Sequence, residues 1–282
     1  MKSLLTLGYI AVGIGNLDPV LLTQTNYTQR LVQTTPASKP QTSPLVQAAG
    51  NLLRLERYQL ESAMEITGDI PGTFFRSQAN INTTVEAPHK INSQITFVSP
   101  NGLEGKTYQI ISDGSQVWIY NLMTNQYSVS NTEQFLQTRE SFLIGTLSHF
   151  YVTTRSNIGN SAIAANFLAK LPEARLIGYF QRFANINLQN TVIRDETIDG
   201  KAYKVYDLDI SNRGFKTSAY INPDSTTIER VHLSGTKDGL QLAATEQILN
   251  QNLPESISAK TFSFSPPEGA EQVPEQITIE PF

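Results

Sequence analysis

Residues 106–130 read KTYQIISDGSQVWIYNLMTNQYSVS, and this stretch decides the kind of fold that the chain adopts. Ser112-Asp113-Gly114 is a tight-turn signal, and the Val117–Tyr120 run behind it is continuously apolar. Thr124-Asn125 then leads into another short strand, so three strands follow one another through short turns. Because a continuously apolar strand is buried on both faces, we expect both faces of the sheet to be covered at Trp118.

The same pattern extends toward the N-terminus. Tyr58, Leu60, Met64 and Ile66 alternate with polar residues, which is the period of a sheet with one apolar and one hydrated face. Two further runs of this kind are predicted as strands, over residues 73–86 and 90–98.

The pattern returns in the C-terminal half, where five more strands are joined by short turns. They are predicted at residues 190–196, 203–210, 215–222, 226–234 and 241–251. The total of eleven or twelve strands is more than a twisted open sheet carries without curling toward a barrel. A curled sheet has a concave face, and the sequence therefore predicts a place where helices or a ligand can lie.

Helical spacing occurs in two places. Apolar residues from Leu45 to Leu53 follow a proline and predict a short first helix. Residues 132–187 carry apolar side chains at intervals of three and four, which predicts a helical insertion between the two halves of the sheet.

The N-terminal region has the pattern of an export signal and is not expected to be part of the folded domain. Lys2 precedes an almost wholly apolar run from Leu4 to Ile14, so residues 1–22 are predicted to be a signal peptide. Residues 23–43 are rich in Gln, Thr, Pro and Ser and are predicted to be a disordered linker. Residues 44–282 remain as a single domain, and since the chain has no cysteine, a lipidated cysteine is excluded.

The residues for catalysis are scarce. His89, His149 and His232 lie far apart and lack metal-ligand spacing, and no nucleophile elbow, phosphate loop or dinucleotide motif is present. The charge of −4, with 16% charged residues, gives no basic surplus for nucleic acid. We therefore expect a protein that is not an enzyme and uses no metal or cofactor.

The remaining candidates for a functional site are apolar side chains on the strands and in the helical insertion. One carboxylate, Glu246, shares the apolar face of its strand with Leu242, Ala244 and Ile248, so it must be paired or lie at the mouth of a cavity. The predicted lining of an apolar cavity is Leu60, Met64, Ile95, Phe97, Trp118, Tyr120, Phe142, Leu147, Phe167, Ile221, Leu242 and Ile248. The alternative is that these residues form an ordinary core that the chain fills by itself.

Two stretches resemble a known family. Residues 106–130 are similar to the strand, S-D-G turn and W-x-Y strand of LolA/LolB-like periplasmic lipoprotein carriers. AKTFSFSPPEGAEQV, at residues 259–273, resembles the closing F-x-F-x-P-P-x-G-x-x-V signature of the same family. Residues 199–203 and 219–228 are similar to the strand pair that lies between these two stretches, so the resemblance covers residues 45–273 in order.

The resemblance implies a mainly β fold with helices, an unclosed antiparallel β-barrel of about eleven strands under a helical lid. It implies a monomeric periplasmic protein that holds the acyl chains of a lipoprotein or another acylated ligand, and that meets a membrane-protein donor or acceptor. The sequence departs from the family at Ala87, where the carriers commonly have the arginine that holds the lid. The alternative function is an envelope interaction or sensor module whose half-barrel is filled by its own side chains.

Overall fold

The computed structural model describes residues 44–70, 73–98, 104–158, 191–210, 215–237 and 240–280, and these ranges are mainly β. The predicted signal peptide and linker lie outside them. The strands are β1 (Arg57–Ile70), β2 (Thr73–Glu86), β3 (Lys90–Val98), β4 (Glu104–Asp113), β5 (Gln116–Asn121), β6 (Gln126–Asn131), β7 (Val192–Ile198), β8 (Lys201–Ile210), β9 (Phe215–Asn222), β10 (Thr227–Lys237), β11 (Leu240–Asn252) and β12 (Glu271–Gln272).

These strands form one unclosed sheet in the order β12-β6-β5-β4-β3-β2-β1-β11-β10-β9-β8-β7. Each half is a run of antiparallel hairpins, and β1 pairs with β11 to join the halves. The short β12 is the exception, because it pairs with β6 in parallel. The predicted unclosed antiparallel sheet of about eleven strands is therefore confirmed, with one additional short strand at its edge.

Three α-helices and a 3₁₀ helix precede or follow the first six strands within the described ranges, and a second 3₁₀ helix lies in the C-terminal segment. The first four are α1 (Pro44–Arg54), α2 (Thr132–Leu136), the 3₁₀ helix at Arg139–Ile144 and α3 (Thr146–Ile158). The last three occupy the first half of the predicted helical insertion, whose residues 159–187 lie outside the described ranges. Asn131 begins α2 because its side-chain oxygen accepts a hydrogen bond from the Gln134 backbone N–H at 2.7 Å.

The two faces of the sheet follow from the alternation of side chains along each strand. We call the face that contacts α3 and the 3₁₀ helix the inner face; on it Tyr58, Leu60 and Met64 of β1 are buried. Glu61, on the other face of β1, is exposed, as its place in the alternation predicts. We call that other face the outer face.

The C-terminal segment covers part of the outer face. Residues Ala259–Phe262 form a 3₁₀ helix, and the Thr261 carbonyl accepts a hydrogen bond from the Asn92 side chain of β3 at 2.6 Å. Phe264 then stacks on Trp118, with ring centroids 6.0 Å apart. Since Val117 and Ile119 are buried on the inner face, the prediction that both faces of this strand are covered is confirmed.

We expect Phe264→Ala to lower the free energy of unfolding by about 2 kcal/mol, because its ring packs against three aromatic rings of β5 and β6. Trp118 is the only tryptophan, so its fluorescence should shift to longer wavelength as the stack is lost. Urea titration measures both effects. Phe74→Ala is the matched control, since Phe74 is 68% exposed and should change the stability by less than about 0.5 kcal/mol.

Candidate functional site: the inner face and its helical cover

The inner face carries a continuous apolar cluster that includes five of the predicted lining residues. Leu60, Met64, Ile95, Phe97 and Leu147 are each at most 5% exposed and belong to this cluster. Four lie on strands β1 and β3, and Leu147 lies on α3. We call the 3₁₀ helix at Arg139–Ile144 together with α3 the cover, and this cluster is where the sheet and the cover meet. Ile248, which is partly buried, packs against the same cluster from β11.

A second cluster continues the apolar surface toward β8. It contains Ile221, which is fully buried, and it includes Leu45 of α1. Ile228 packs against both clusters and so connects them. Leu242 lies in register with Gly68 on one side and Gly235 on the other, which places it on the inner face between two residues without side chains.

Two predicted lining residues lie on the opposite side of the sheet. Trp118 and Tyr120 alternate with the buried Val117 and Ile119, and both stack against Phe264 on the outer face. The continuous apolar run in β5 concealed the alternation that would have separated the two faces. The structure therefore does not bring Trp118 and Tyr120 together with the inner-face cluster.

The two remaining predicted residues of the helical insertion have separate outcomes. Phe142 stacks on His149 with ring centroids 4.1 Å apart, so it packs the 3₁₀ helix against α3. Phe167 lies outside the described residues. Whether the twelve predicted side chains enclose a ligand stays a prediction.

Glu246 is the polar centre of the inner face. It is 1% exposed, and its Oε1 accepts a hydrogen bond from the Ser62 hydroxyl at 2.8 Å. Its Oε2 accepts one from the backbone N–H of Leu147 at 3.0 Å, in the first turn of α3. One carboxyl group thus joins β1, β11 and the helix, and of the two alternatives predicted for Glu246 the structure has the paired one.

Helix geometry accounts for this contact. The first backbone N–H groups of a helix have no partner within it, and the helix dipole favours a negative group beside them. Burial raises the pKa of Glu246 above its ordinary value, and the hydrogen bonds from Leu147 and Ser62 oppose that rise. Gly145 permits the approach, since a Cβ at this position would lie 2.6 Å from Oε1.

Further hydrogen bonds attach the cover to the sheet. The Thr83 hydroxyl lies 2.8 Å from the Ile144 carbonyl, to which it donates, at the end of the 3₁₀ helix. The Tyr151 hydroxyl of α3 donates to the Leu55 carbonyl at 2.6 Å, and its ring meets that of Tyr58 edge to face. Polar side chains in an otherwise apolar layer thus determine where the helices lie.

The three histidines do not form a site. Burial lowers the pKa of His149 to about 4, and it also lowers the pKa values of His89 and His232. His89 bonds Ser156 at 2.5 Å, which links the β2–β3 turn to α3. Within the ranges given above, no group of three or more His, Cys, Asp or Glu side chains comes close enough to hold a metal.

A serine, a histidine and an acid do meet on the outer face, but in the wrong order for nucleophilic catalysis. The Ser218 hydroxyl donates to Asp207 at 2.6 Å, while His232 Nδ1 lies 2.8 Å from the Thr245 hydroxyl. A catalytic triad requires the histidine between serine and acid. Here the Ser218 hydroxyl donates its hydrogen bond to the Asp207 carboxylate. Asp207, Ser218 and His232 therefore form a row across the strands in which no nucleophile is activated.

Sequence reasoning missed the end of the chain. After β12 the tail passes the sheet edge and reaches the inner face, where Ile279 is 7% exposed within the main apolar cluster. The Ile277 N–H donates to the Ser128 hydroxyl at 2.9 Å, and the Tyr108 hydroxyl donates to the Glu280 carbonyl at 3.2 Å. The Ile-Thr-Ile alternation at 277–279 was the available signal.

Across the helices in the described ranges, none combines the length and the apolar character that crossing a membrane requires.

Comparison with protein-family models gave no match, and neither did comparison with curated proteins. Solved structures do match. An uncharacterized conserved protein from Thermus thermophilus is 10% identical, over 82% of this chain and 97% of its own, with a TM-score of 0.40. LprF from Mycobacterium bovis is 11% identical, over 76% and 94%, with a TM-score of 0.40.

A LolA superfamily protein from Nitrosomonas europaea is 11% identical, over 78% of this chain and 97% of its own, with a TM-score of 0.30. At these identities and TM-scores, the similarity by itself assigns no function to the chain.

We expect Glu246→Gln to remove a pH dependence of stability. Because the pKa of Glu246 is raised in the folded protein, the folded state binds more protons than the unfolded state above the ordinary pKa of 4.5. The contribution of this group is therefore complete below pH 4.5 and is lost as the pH rises through the raised pKa. Urea unfolding from about pH 4 to about pH 8 should show wild type losing stability relative to Glu246→Gln. Exposed Glu61→Gln is the control, and a constant difference between wild type and Glu246→Gln would contradict the prediction.

Gly145→Ala should cost about 3 kcal/mol, since its φ of +97° strains an alanine and the new Cβ would meet the Glu246 carboxylate. Gly114→Ala separates these causes. Gly114 has a similar φ of +104°, but its nearest neighbour to a new Cβ is 3.8 Å away, so only the strain of about 1 kcal/mol is expected. Equal losses in the two variants would show that the close approach to Glu246 is unimportant.

Proposed function

We propose that this protein binds an acylated ligand, a lipoprotein or another lipid, and holds the acyl chain against the inner face of the sheet. The observation that carries the proposal is an apolar inner face whose helical cover is attached by hydrogen bonds to buried polar side chains. Glu246 and Thr83 supply two of these attachments. Each methylene transferred from water to such a face contributes about 0.8 kcal/mol, so no catalytic group is needed for binding.

The chemistry of the cover supports an opening movement. A core that never opens gains little from polar groups, since a well-packed apolar layer is often as stable. The hydroxyl and carboxyl groups beneath the 3₁₀ helix and α3 can exchange their partners for water when the helices lift. The cover would then admit an acyl chain and close over it.

The proposed setting is the periplasm, reached through the predicted signal peptide and without lipidation. There the protein would act as a monomeric carrier between a membrane-protein donor and acceptor. It would use no cofactor and would not be an enzyme. The outer-face row of Asp207, Ser218 and His232 supports the last point, because its hydrogen bonds leave no activated nucleophile.

One observation favours the alternative, an envelope interaction or sensor module without lipid cargo. The C-terminal tail places Ile279 in the inner-face cluster, and Ile277 packs beside it. The chain thus fills part of its own inner face, as a half-barrel without a ligand would require.

The proposal is tested by adding a fluorescent fatty acid, cis-parinaric acid, to the purified protein and by native mass spectrometry for lipid that purifies with it. We expect saturable binding, and Ala79→Phe should weaken it at least tenfold. Ala79 is 2% exposed and lies between Met64 and Phe97 on the inner face, so a larger side chain there occupies the space for the acyl chain.

Asn80→Phe is the matched control, because Asn80 is the next residue along β2, exposed on the outer face. It should bind the fatty acid as wild type does, and circular dichroism should show both variants folded. Absence of both binding and co-purified lipid in wild type would overturn the carrier proposal and leave the self-filled module as the better explanation.

A further inference from the structure

Helix α3 buries a cation that has no anionic partner among the described residues. Arg155 is 5% exposed, and its Nε and Nη1 atoms are buried without a hydrogen-bond acceptor. Among the ion pairs of the described ranges, none includes this guanidinium. By contrast, the Glu246 and Thr83 side chains, which are also buried under the cover, have their partners.

Arg155 lies at one end of the inner face. Ser156, the next residue, bonds His89 in the turn between β2 and β3. One helical turn earlier, the Tyr151 hydroxyl donates a hydrogen bond to the Leu55 carbonyl, two residues before β1 begins. The guanidinium is therefore beside the rim where β1 begins and β2 ends, and Glu246 holds the opposite end of the same helix.

The neighbouring groups do not neutralise this charge. Burial raises the pKa of Tyr151 to about 12, although the charge of Arg155 and a hydrogen bond from it act to lower that pKa. The phenol that Arg155 contacts is therefore neutral. The carboxylate of Glu56 is 63% exposed and pairs with Arg57 at 3.3 Å. The buried guanidinium is thus left without a negative charge to compensate it among the described residues.

The physical cost of this arrangement is large. An arginine cannot lose its charge at any ordinary pH, unlike a buried lysine or histidine. A buried charge is retained when a partner of opposite charge compensates it. The planar guanidinium offers several N–H donors to a carboxylate or a phosphate, and its Nε and Nη1 atoms both lack acceptors.

We propose that Arg155 binds the anionic head group, a carboxylate or a phosphate, of the acylated ligand. The head group lies at the rim, and the acyl chain extends from it across the inner-face cluster. This inference rests on the proposed function and narrows it, because it selects ligands with a negative head over neutral ones of the same chain length.

Displacement of cis-parinaric acid tests the inference with three competitors of equal chain length: palmitate, hexadecyl phosphate and uncharged hexadecanol. Wild type should bind the two anions at least tenfold more tightly than the alcohol. Arg155→Gln should lose at least tenfold in affinity for both anions and should bind hexadecanol unchanged. Arg155→Lys keeps the positive charge but replaces the planar guanidinium with an ammonium group. It should retain part of the preference for the two anions over the alcohol.

Arg139→Gln is the matched control, since Arg139 also belongs to the cover but is one-third exposed and pairs with Glu140. It should keep the wild-type preference. Inorganic phosphate forms a further arm. If phosphate alone bound as tightly as hexadecyl phosphate, the site would be one for a free anion and the inference would be wrong.

Urea unfolding without ligand keeps the test valid if Arg155→Gln changes the stability of the protein. Without ligand, Arg155→Gln removes an uncompensated buried charge, so it should unfold at the same or a higher urea concentration than wild type. Unfolding at a clearly lower concentration would show that a structural partner compensates Arg155, against the inference. Equal binding of all competitors by wild type and Arg155→Gln would overturn the inference and leave the carrier proposal intact, whereas no binding by wild type would overturn both.

Discussion

The carboxyl group of Glu246 is the contact on which the arrangement of sheet and helices depends. It belongs to β11, it accepts a hydrogen bond from β1, and it accepts another from the first turn of α3. Strands β1 and β11 are also the place where the two halves of the sheet meet. The same group therefore lies at the junction of the halves and beneath the helix that covers them. Gly145 is part of this constraint, because only a residue without a side chain lets the carboxyl group approach so closely.

A polar anchor in an apolar layer has consequences for movement. Apolar packing resists separation in proportion to the area that is exposed, and it has no preferred direction. Hydrogen bonds from the Leu147 backbone N–H, the Thr83 hydroxyl and the Tyr151 hydroxyl specify instead a single position for the cover, and each can be exchanged for water at a small net cost. Hydrogen bonds thus specify the position of the cover, and they act together with the burial of apolar surface to hold it there. This combination suits a layer that must return to the same place after a ligand has entered.

The sequence predicted the strands well and the faces less well. Alternation in β1 and the turns of the C-terminal half placed the strands within a few residues, because a period of two is a local property. The face on which Trp118 lies could not be predicted, because a continuously apolar strand has no alternation of polar and apolar residues to distinguish its two faces. The tail with Ile279 and the seat of α3 depend on contacts between residues that lie far apart in the chain. Such contacts leave no periodic signal, and Glu246 could be recognised only as a carboxylate that needed some partner.

Two buried ionisable groups of opposite sign, Glu246 and Arg155, lie at the two ends of α3, and they differ in how they are satisfied. Glu246 has a hydroxyl and a backbone N–H as partners, and protonation gives it a second way to avoid the cost of burying a charge. An arginine has no neutral form at ordinary pH, and the Nε and Nη1 atoms of Arg155 meet no acceptor in the described chain. The first group therefore has its partners within the fold, and the second is the cation for which we propose an anionic ligand. An apolar face that ends at an uncompensated cation has the polarity that suits a molecule with a hydrocarbon chain and a negative head, and the proposed ligand rests on this complementarity.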